Sequence, residues 1–118
     1  MNTENLAVFK ISHELTINLY QLTKKFPIEE KFGLITQIRR AASSICANLM
    51  EGGYRQSKNE YKRFTNISRG STGELKYHLL LAKDLNYISE KEYESYLKII
   101  DQISKMLYRL TVSLGNSF

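Results

Sequence analysis

The sequence is poor in the residues that build disulfide-stabilised, loop-rich or membrane-spanning proteins. Its 118 residues include one cysteine, one proline and no tryptophan. The single Cys46 excludes an internal disulfide framework and is typical of a reducing compartment, so we expect a cytoplasmic protein. No apolar run approaches the roughly 20 residues that span a bilayer, and the N-terminus does not resemble a secretory signal. The length predicts one domain, over residues 1–118.

Few breaks interrupt the chain, and the segments between them have helical periodicity. Proline or glycine occurs at residues 27–33 and 52–53, and a polar turn is expected at residues 86–88. Helices are predicted at about residues 7–25, 34–51, 57–84 and from 89 onward. In the first, apolar residues recur every three or four positions and so share one side: Val8, Ile11, Leu15, Leu19, Leu22 and Phe26. Short connections make neighbouring helices antiparallel, which predicts an all-α, up-down-up-down four-helix bundle.

Serine and glutamate three residues apart mark two of the helix starts. Ser57 with Glu60, and Ser89 with Glu92, predict capping boxes. The glycines at residues 52–53 are expected to end the second helix. The fourth helix carries two apolar edges, more than one bundle core requires. An oligomer interface and a generous internal core both account for this excess.

Small residues lie on the facing sides of helices 2 and 3. If the two helices pair about Gln56, Ser44 lies opposite Ser68. Gly70 and Gly73 each cost a helix about 0.5–1 kcal/mol relative to alanine, and close backbone approach would compensate for this cost. A structural role is predicted for seven residues of this hairpin: Ser44, Asn48, Glu51, Gly52, Gly70, Ser71 and Glu74. For Asn48 and Glu51 a catalytic or ligand-binding role is the alternative, although no base or nucleophile stands at a recognisable spacing.

The positive charge is concentrated in the middle of the chain. The formal net charge is +5, and residues 39–69 carry all of it, with seven basic against two acidic side chains. On helix 3, five basic residues fall within about 60° of arc and span about 37 Å: Lys58, Lys62, Arg69, Lys76 and Lys83. No acidic residue of helix 3 shares this line. On helix 4, by contrast, Glu94 and Asp101 each precede a lysine by four residues and are expected to neutralise it.

An uncompensated row of cations can follow a phosphate backbone. An ordinary solvated basic face with no ligand is the alternative. The residues predicted to bind nucleic acid are these: Arg39, Arg40, Arg55, Lys58, Lys62, Arg63, Arg69, Lys76 and Lys83. An acidic protein partner would suit the same surface.

The motifs of common enzymes are missing. The glycine pair at residues 52–53 lacks the lysine and hydroxyl residue of a phosphate-binding loop. His13 and His78 do not form the Glu-x-x-His sets of di-iron bundles or any other metal pattern. Cys46 follows an apolar helical position and is expected to be a buried thiol. We therefore expect no catalytic residue, no metal and no cofactor.

Three stretches of the chain resemble the bacterial family of 23S ribosomal RNA intervening-sequence proteins. The first is HEL at residues 13–15 with KKFP at 24–27 and EKFGL at 30–34. The second is QIRRAASSI at 37–45 with NLMEG at 48–52, and the third includes RGS at 69–71 and EL at 74–75. Cys46 and Met50 depart from the family pattern, which often has proline and usually alanine at these positions.

The resemblance implies a four-helix bundle that assembles as a homopentamer. It also implies similarity to the accessory protein of diversity-generating retroelements, a basic pentameric barrel that binds nucleic acid and a reverse transcriptase. The biochemical role of the family is not established, and the resemblance supplies no catalytic residue. RNA or DNA binding by a homo-oligomer is the leading hypothesis. A protein–protein adaptor without nucleic-acid binding is the alternative.

Overall fold

The computed structural model describes residues 2–115 and confirms the all-α bundle. Within this range the helices are α1 (Ala7–Thr23), α2 (Leu34–Tyr54), α3 (Lys58–Asp84) and α4 (Glu90–Ser113). Short 3-10 turns at Thr3–Asn5 and Ile28–Glu30 precede α1 and α2. The bundle measures 47 × 23 × 23 Å. Helix α3 lies beside α2 and α4, and α1 is diagonally opposite.

The apolar stripes read from the sequence form a single core. The largest fully buried apolar side chains come from all four helices: Leu15, Leu19, Ile38, Ile45, Leu49, Leu75, Leu79, Ile100, Ile103 and Leu107. The second apolar edge of α4 joins the same core, because Ile103 is buried and Ile99, Met106 and Leu110 pack against it while half-buried. Much of the wide apolar face of α4 is therefore used within one chain.

The predicted capping boxes differ in outcome. At α4 the box is complete: Glu92 N–H donates to Ser89 Oγ at 3.0 Å, and Ser89 N–H donates to Glu92 Oε1 at 2.9 Å. At α3 only half of the box forms, because Ser57 Oγ accepts from Glu60 N–H at 3.1 Å. The Glu60 carboxylate instead accepts from Arg63 Nε at 2.9 Å. An arginine one turn ahead thus takes the carboxylate that would have closed the box.

The turn expected at residues 86–88 is a helix-ending motif. Asn86 adopts a left-handed conformation with φ 64°, which asparagine tolerates better than most residues. Tyr87 N–H donates to the Ala82 carbonyl, and Asn86 N–H donates to the Lys83 carbonyl, both at 2.9 Å. This is the Schellman arrangement, which satisfies the last carbonyls of α3. A short turn from α3 into α4 follows.

The glycines at residues 52–53 do not end α2, which continues to Tyr54. Gly52 is buried, and a Cβ placed on it would lie 2.9 Å from Phe64 Cβ and 3.3 Å from the Tyr61 carbonyl oxygen. Its role is to let α3 approach α2 closely just before the turn. The expectation of a glycine stop was wrong because the space requirement comes from α3, which the local sequence of α2 does not contain.

The small-residue hairpin forms, but in a shifted register and without Gly70 and Gly73. Ser44 Oγ lies 2.9 Å from Ser71 Oγ rather than opposite Ser68, whose Oγ donates to the Ile45 carbonyl at 2.7 Å. Gly70 and Gly73 are exposed, and a Cβ on either would have no heavy atom of a neighbouring element within 4 Å. The prediction that these glycines permit close helix packing was wrong, since they face outward rather than toward α2.

Candidate nucleic-acid interface

The cations predicted to bind nucleic acid are divided among separate surfaces. Arg39 contacts α1, and Arg40 lines a groove between α2 and α3. Arg55 and Arg63 flank Phe64 beside the turn between α2 and α3. The others follow the side of α3 that faces α4: Lys58, Lys62, Arg69, Lys76 and Lys83. A ligand on one of these surfaces would not reach all nine.

Arg39 holds α2 against α1. Its Nε donates to Thr23 Oγ1 at 2.9 Å, and its Nη2 donates to the Tyr20 carbonyl at 3.1 Å. The guanidinium carbon lies 4.5 Å from the centroid of the Tyr20 ring. A cation at the carbonyl end of α1 is also favoured by the helix dipole. These contacts occupy much of the guanidinium and indicate a structural role.

Arg55 and Arg63 belong to a small charged network around Phe64. Arg63 Nε donates to Glu60 Oε2, and Arg55 lies 3.8 Å from Glu60 Oε1 and 3.6 Å from Glu51 Oε2. The hydrogen bond from Arg63 holds the pKa of the Glu60 carboxyl below its usual value. Both guanidinium carbons lie within 5 Å of the Phe64 ring centroid, at 4.9 and 4.5 Å. Two carboxylates therefore offset much of this positive charge.

Arg40 lies in a polar groove between α2 and α3, of about 460 Å³. The groove is lined by Gln37, Arg40, Ala41, Ser44, Ser71 and Glu74. Asn48 Nδ2 donates to both the carbonyl and the Oγ of Ser44 at 2.9 Å. Ser44 Oγ meets Ser71 Oγ, so Asn48 and Ser71 act on the hairpin through Ser44. Glu74 is exposed at the edge of this groove and shares it with Arg40.

The groove between α3 and α4 has a strongly cationic section. The section is lined by Lys62, Asn66, Arg69, Tyr108, Thr111 and Val112, and it has a volume of about 380 Å³. None of these side chains is acidic. Lys62 Nζ donates to the Gly115 carbonyl at 3.1 Å, and Arg69 Nε donates to Ser104 Oγ at 3.3 Å. Neither cation has a carboxylate within 4 Å among residues 2–115, although Asp101 lines the adjoining section of the groove.

An exposed aromatic ring lies beside these cations. Tyr108 is 53% exposed, and its ring centroid is 5.1 Å from the guanidinium carbon of Arg69. Lys58, one turn before Lys62 on the same line of α3, is exposed and has no carboxylate within 4 Å among residues 2–115. Exposed cations next to an aromatic face are the combination that grooves for nucleic-acid strands use. This section is the strongest candidate interface in the described part of the chain.

Two members of the predicted row are neutralised. Lys76 Nζ lies 3.7 Å from Asp101 Oδ1 on α4, and Lys83 Nζ lies 3.5 Å from Asp84 Oδ1. Lys83 also lies 4.9 Å from the ring centroid of Tyr93. The expectation that no acid accompanies the row was wrong at its C-terminal half. The acid at Lys76 comes from the neighbouring helix, which periodicity within α3 does not reveal.

The two α4 lysines that follow Glu94 and Asp101 by four residues, Lys98 and Lys105, also differ from the prediction. Asp101 pairs across to Lys76 rather than with Lys105 on its own helix. Neither Lys98 nor Lys105 has a carboxylate within 4 Å among the residues that the structure describes. The outer side of α4 is therefore less neutralised than its i, i+4 spacing indicated. It adds positive potential near the cationic section of the groove.

Sequence reasoning missed Tyr108, Asn66 and Ser104. The chain has eight tyrosines, most of them on or near the bundle faces by helical spacing, so Tyr108 does not stand out in the sequence. The available signal was its helical position, because Tyr108 lies about 100° from the core residue Leu107 and next to Arg109. Asn66 and Ser104 carry no sequence signal of their own. They matter only because α3 and α4 bring them to the same groove.

Cys46 is half-buried, rather than fully buried as the sequence predicted. Its Sγ lies 3.8 Å from the Phe9 carbonyl, toward which it donates, and burial raises the pKa of its thiol to about 11. Among residues 2–115 no group of three or more His, Cys, Asp or Glu side chains is arranged to hold a metal ion. No helix in this range is both long and apolar enough to cross a membrane.

Comparison with known proteins assigns the chain to a family. No curated protein matches it. A crystal structure from the S23 ribosomal protein family of Bacteroides thetaiotaomicron, described as a protein of unknown function, is similar over 90% of this chain and 99% of that one. The sequence identity is 28% and the TM-score is 0.79. The model of the 23S rRNA-intervening sequence protein family matches residues 4–109. The chain therefore belongs to the 23S rRNA-intervening sequence protein family.

Proposed function

We propose that this protein binds the backbone of RNA or DNA, without catalysis, through the cationic section of the α3–α4 groove. The observation that carries the proposal is the meeting of Lys62 and Arg69 with the exposed ring of Tyr108 in a section of the groove whose lining holds no carboxylate. Lys58 extends this surface by one helical turn. Lys76 and Lys83 contribute less, because a phosphate would have to displace Asp101 or Asp84.

The proposal reduces the number of binding residues. Arg39 is engaged with α1, and Arg55 and Arg63 are engaged with carboxylates at the turn. Arg40 lies on the other flank of α3. Arg39, Arg55 and Arg63 act mainly on the fold, Arg40 lies on a different surface, and Lys58, Lys62 and Arg69 form the binding surface. Contacts of this kind are to phosphates, so they position a nucleic acid without reading its sequence.

The functional unit that we propose is a homo-oligomer in the cytoplasm, and a pentamer by family resemblance. Half-buried Ile99, Met106 and Leu110 lie on the edge of α4 that faces away from α3. Apolar side chains in such a position gain free energy when a second copy covers them. Sedimentation equilibrium tests this directly: the pentamer has five times the chain mass of 13.7 kDa, and a species of one chain mass contradicts it.

Charge reversal tests the binding surface. In the triple variant that combines Lys58→Glu, Lys62→Glu and Arg69→Glu, the affinity for a fluorescent RNA, measured by anisotropy, should fall below detection. The helical circular dichroism signal should be retained. The matched control reverses three exposed lysines on α1 and the following loop, Lys10, Lys24 and Lys31. The control has the same net charge and should keep most of the affinity. Equal losses in both variants would mean that net charge, and not this groove, drives binding.

The adaptor hypothesis is favoured by a different surface. Ile28 and Phe32, in the connection between α1 and α2, are 86% and 90% exposed. Exposed apolar side chains of this size in one short segment are typical of protein contacts. The adaptor function is supported if the double variant with Ile28→Ser and Phe32→Ser no longer captures a specific protein that the charge-reversed triple variant still captures. Binding of RNA by wild type that depends on Lys62 and Arg69 would favour the nucleic-acid function instead.

A further inference from the structure

We propose that the α3–α4 groove takes a single strand, rather than a duplex, and that one base stacks at Tyr108. This inference rests on the proposed function and names its substrate class. Lys62 and Arg69 would attract any polyanion, but charge alone does not explain why an aromatic ring is exposed beside them. The proposal assigns that ring a role.

The geometry at Tyr108 suits a planar ligand. The ring is 53% exposed. The guanidinium of Arg69 lies over the ring at 5.1 Å and is itself restrained by its hydrogen bond to Ser104. An aromatic face and a guanidinium plane are the two surfaces on which unstacked bases bind in single-stranded sites. Tyr108 and Arg69 provide both at one point of the groove.

Polar groups complete the site on the same side. Asn66 is exposed and lines both sections of the groove, beside Lys62 and Arg69. Its amide offers a donor and an acceptor, which match a base edge or a ribose hydroxyl. The neighbouring section toward Lys76 has a volume of about 440 Å³ and continues along α3 as far as the Lys76–Asp101 ion pair, where a phosphate would have to displace the carboxylate. A flexible strand can follow this path and place a base at the ring.

A duplex uses these features poorly. Its bases are stacked inside a stiff helix, so their faces are not offered to Tyr108 unless a base is flipped out. The bundle is itself convex, about 23 Å across. A duplex is also convex, so the two surfaces would touch over only a few phosphates. The structure therefore favours a strand whose bases are free.

The test compares a single strand with its duplex by fluorescence anisotropy. The probes are a labelled RNA of about 12 nucleotides, within the range of strand-binding sites, and the same strand annealed to its complement. Wild type should bind the single strand at least about tenfold more tightly. Tyr108→Leu should weaken single-strand binding by about five- to a hundredfold and leave duplex binding unchanged. Tyr108→Phe keeps the ring and should stay within about twofold of wild type on the same scale.

The outcomes separate this inference from the function on which it rests. If Tyr108→Leu binds both probes like wild type, while Lys62→Glu, Arg69→Glu binds neither, the groove binds nucleic acid but the stacking proposal is wrong. Wild type that binds the duplex as tightly as the strand also overturns it. Wild type that binds neither probe, or that binds an acidic peptide equally well, overturns the proposed function and this inference together. If Tyr108→Phe loses as much as Tyr108→Leu, the hydroxyl rather than the ring face is responsible, which again refutes stacking.

Discussion

Replacing Gly52 with alanine should destabilise the bundle, whereas the same change at Gly70 should stabilise it. Both glycines lie inside helices, so each gains about 0.5–1 kcal/mol of helix propensity on becoming alanine. At Gly52 the new methyl group would lie 2.9 Å from Phe64 Cβ and 3.2 Å from Tyr61 Cδ1. Overpacking of this kind costs about 1–3 kcal/mol. At Gly70 no neighbouring element lies within 4 Å, so nothing opposes the gain.

The measured quantity is the free energy of unfolding in urea, followed by circular dichroism at one fixed protein concentration. The two variants should differ by about 1–3 kcal/mol, with Gly70→Ala the more stable. The melting temperature should differ by about 4 °C for each kcal/mol. If Gly70→Ala is destabilised as much as Gly52→Ala, a second copy of the chain packs against that face. If Gly52→Ala is as stable as wild type, the close approach of α2 and α3 is wrong.

Three further changes test the cap at Glu30, the charged network and the half-buried thiol. Glu30 Oε1 accepts from Leu34 N–H at 3.1 Å, and Glu30 Oε2 accepts from the Tyr87 hydroxyl at 2.8 Å. Glu30→Ala should therefore lower the stability measured by thermal unfolding by about 1 kcal/mol or more, and by more than Tyr87→Phe does. Equal losses in the two variants would show that the cap contributes nothing. The hydrogen bond from Arg63 lowers the pKa of Glu60. The extra stability of wild type over Glu60→Gln should therefore be fully present above about pH 4.3 and should decrease as the pH falls below it. Parallel pH profiles of stability for the two proteins would contradict the pairing. Burial raises the pKa of Cys46 to about 11. Its alkylation by iodoacetamide at pH 8 should therefore be on the order of a hundredfold slower in the folded protein than in the urea-unfolded chain. Equal rates would mean that the thiol is exposed.

Features set within one helix could be predicted from the sequence. Apolar spacing in each segment identified core residues such as Leu19 and Ile45, because burial of one helical face requires residues three and four apart. The complete cap at Ser89 was predictable, since both of its partners lie within four residues. The turn at Asn86 was also predictable, because its conformation is determined locally.

Features set between helices could not be predicted. Asp101 was expected to neutralise Lys105, which lies four residues further along α4. It pairs instead with Lys76, because the packing of α3 against α4 brings that lysine within 3.7 Å of the carboxylate. The helix stop expected at Gly52 and the close packing expected at Gly70 were both wrong, since each depends on whether another element lies opposite, whereas the structural role predicted for Gly52 agrees with its burial against α3. The candidate site has the same origin: Arg69 was found from its charge, but Tyr108 joins it only when α4 packs against α3.

The salt dependence of binding tests most directly whether Lys62 and Arg69 contact phosphates. The affinity for a single-stranded RNA would be measured between about 50 and 200 mM salt for wild type and for Lys62→Gln, Arg69→Gln. Each lost phosphate contact should reduce the slope of log affinity against log salt by about 0.7 on a single strand. The double variant should therefore have a slope about 1.4 smaller than that of wild type. Wild-type binding whose slope is unchanged by the two substitutions would show that the nucleic acid lies elsewhere on the protein.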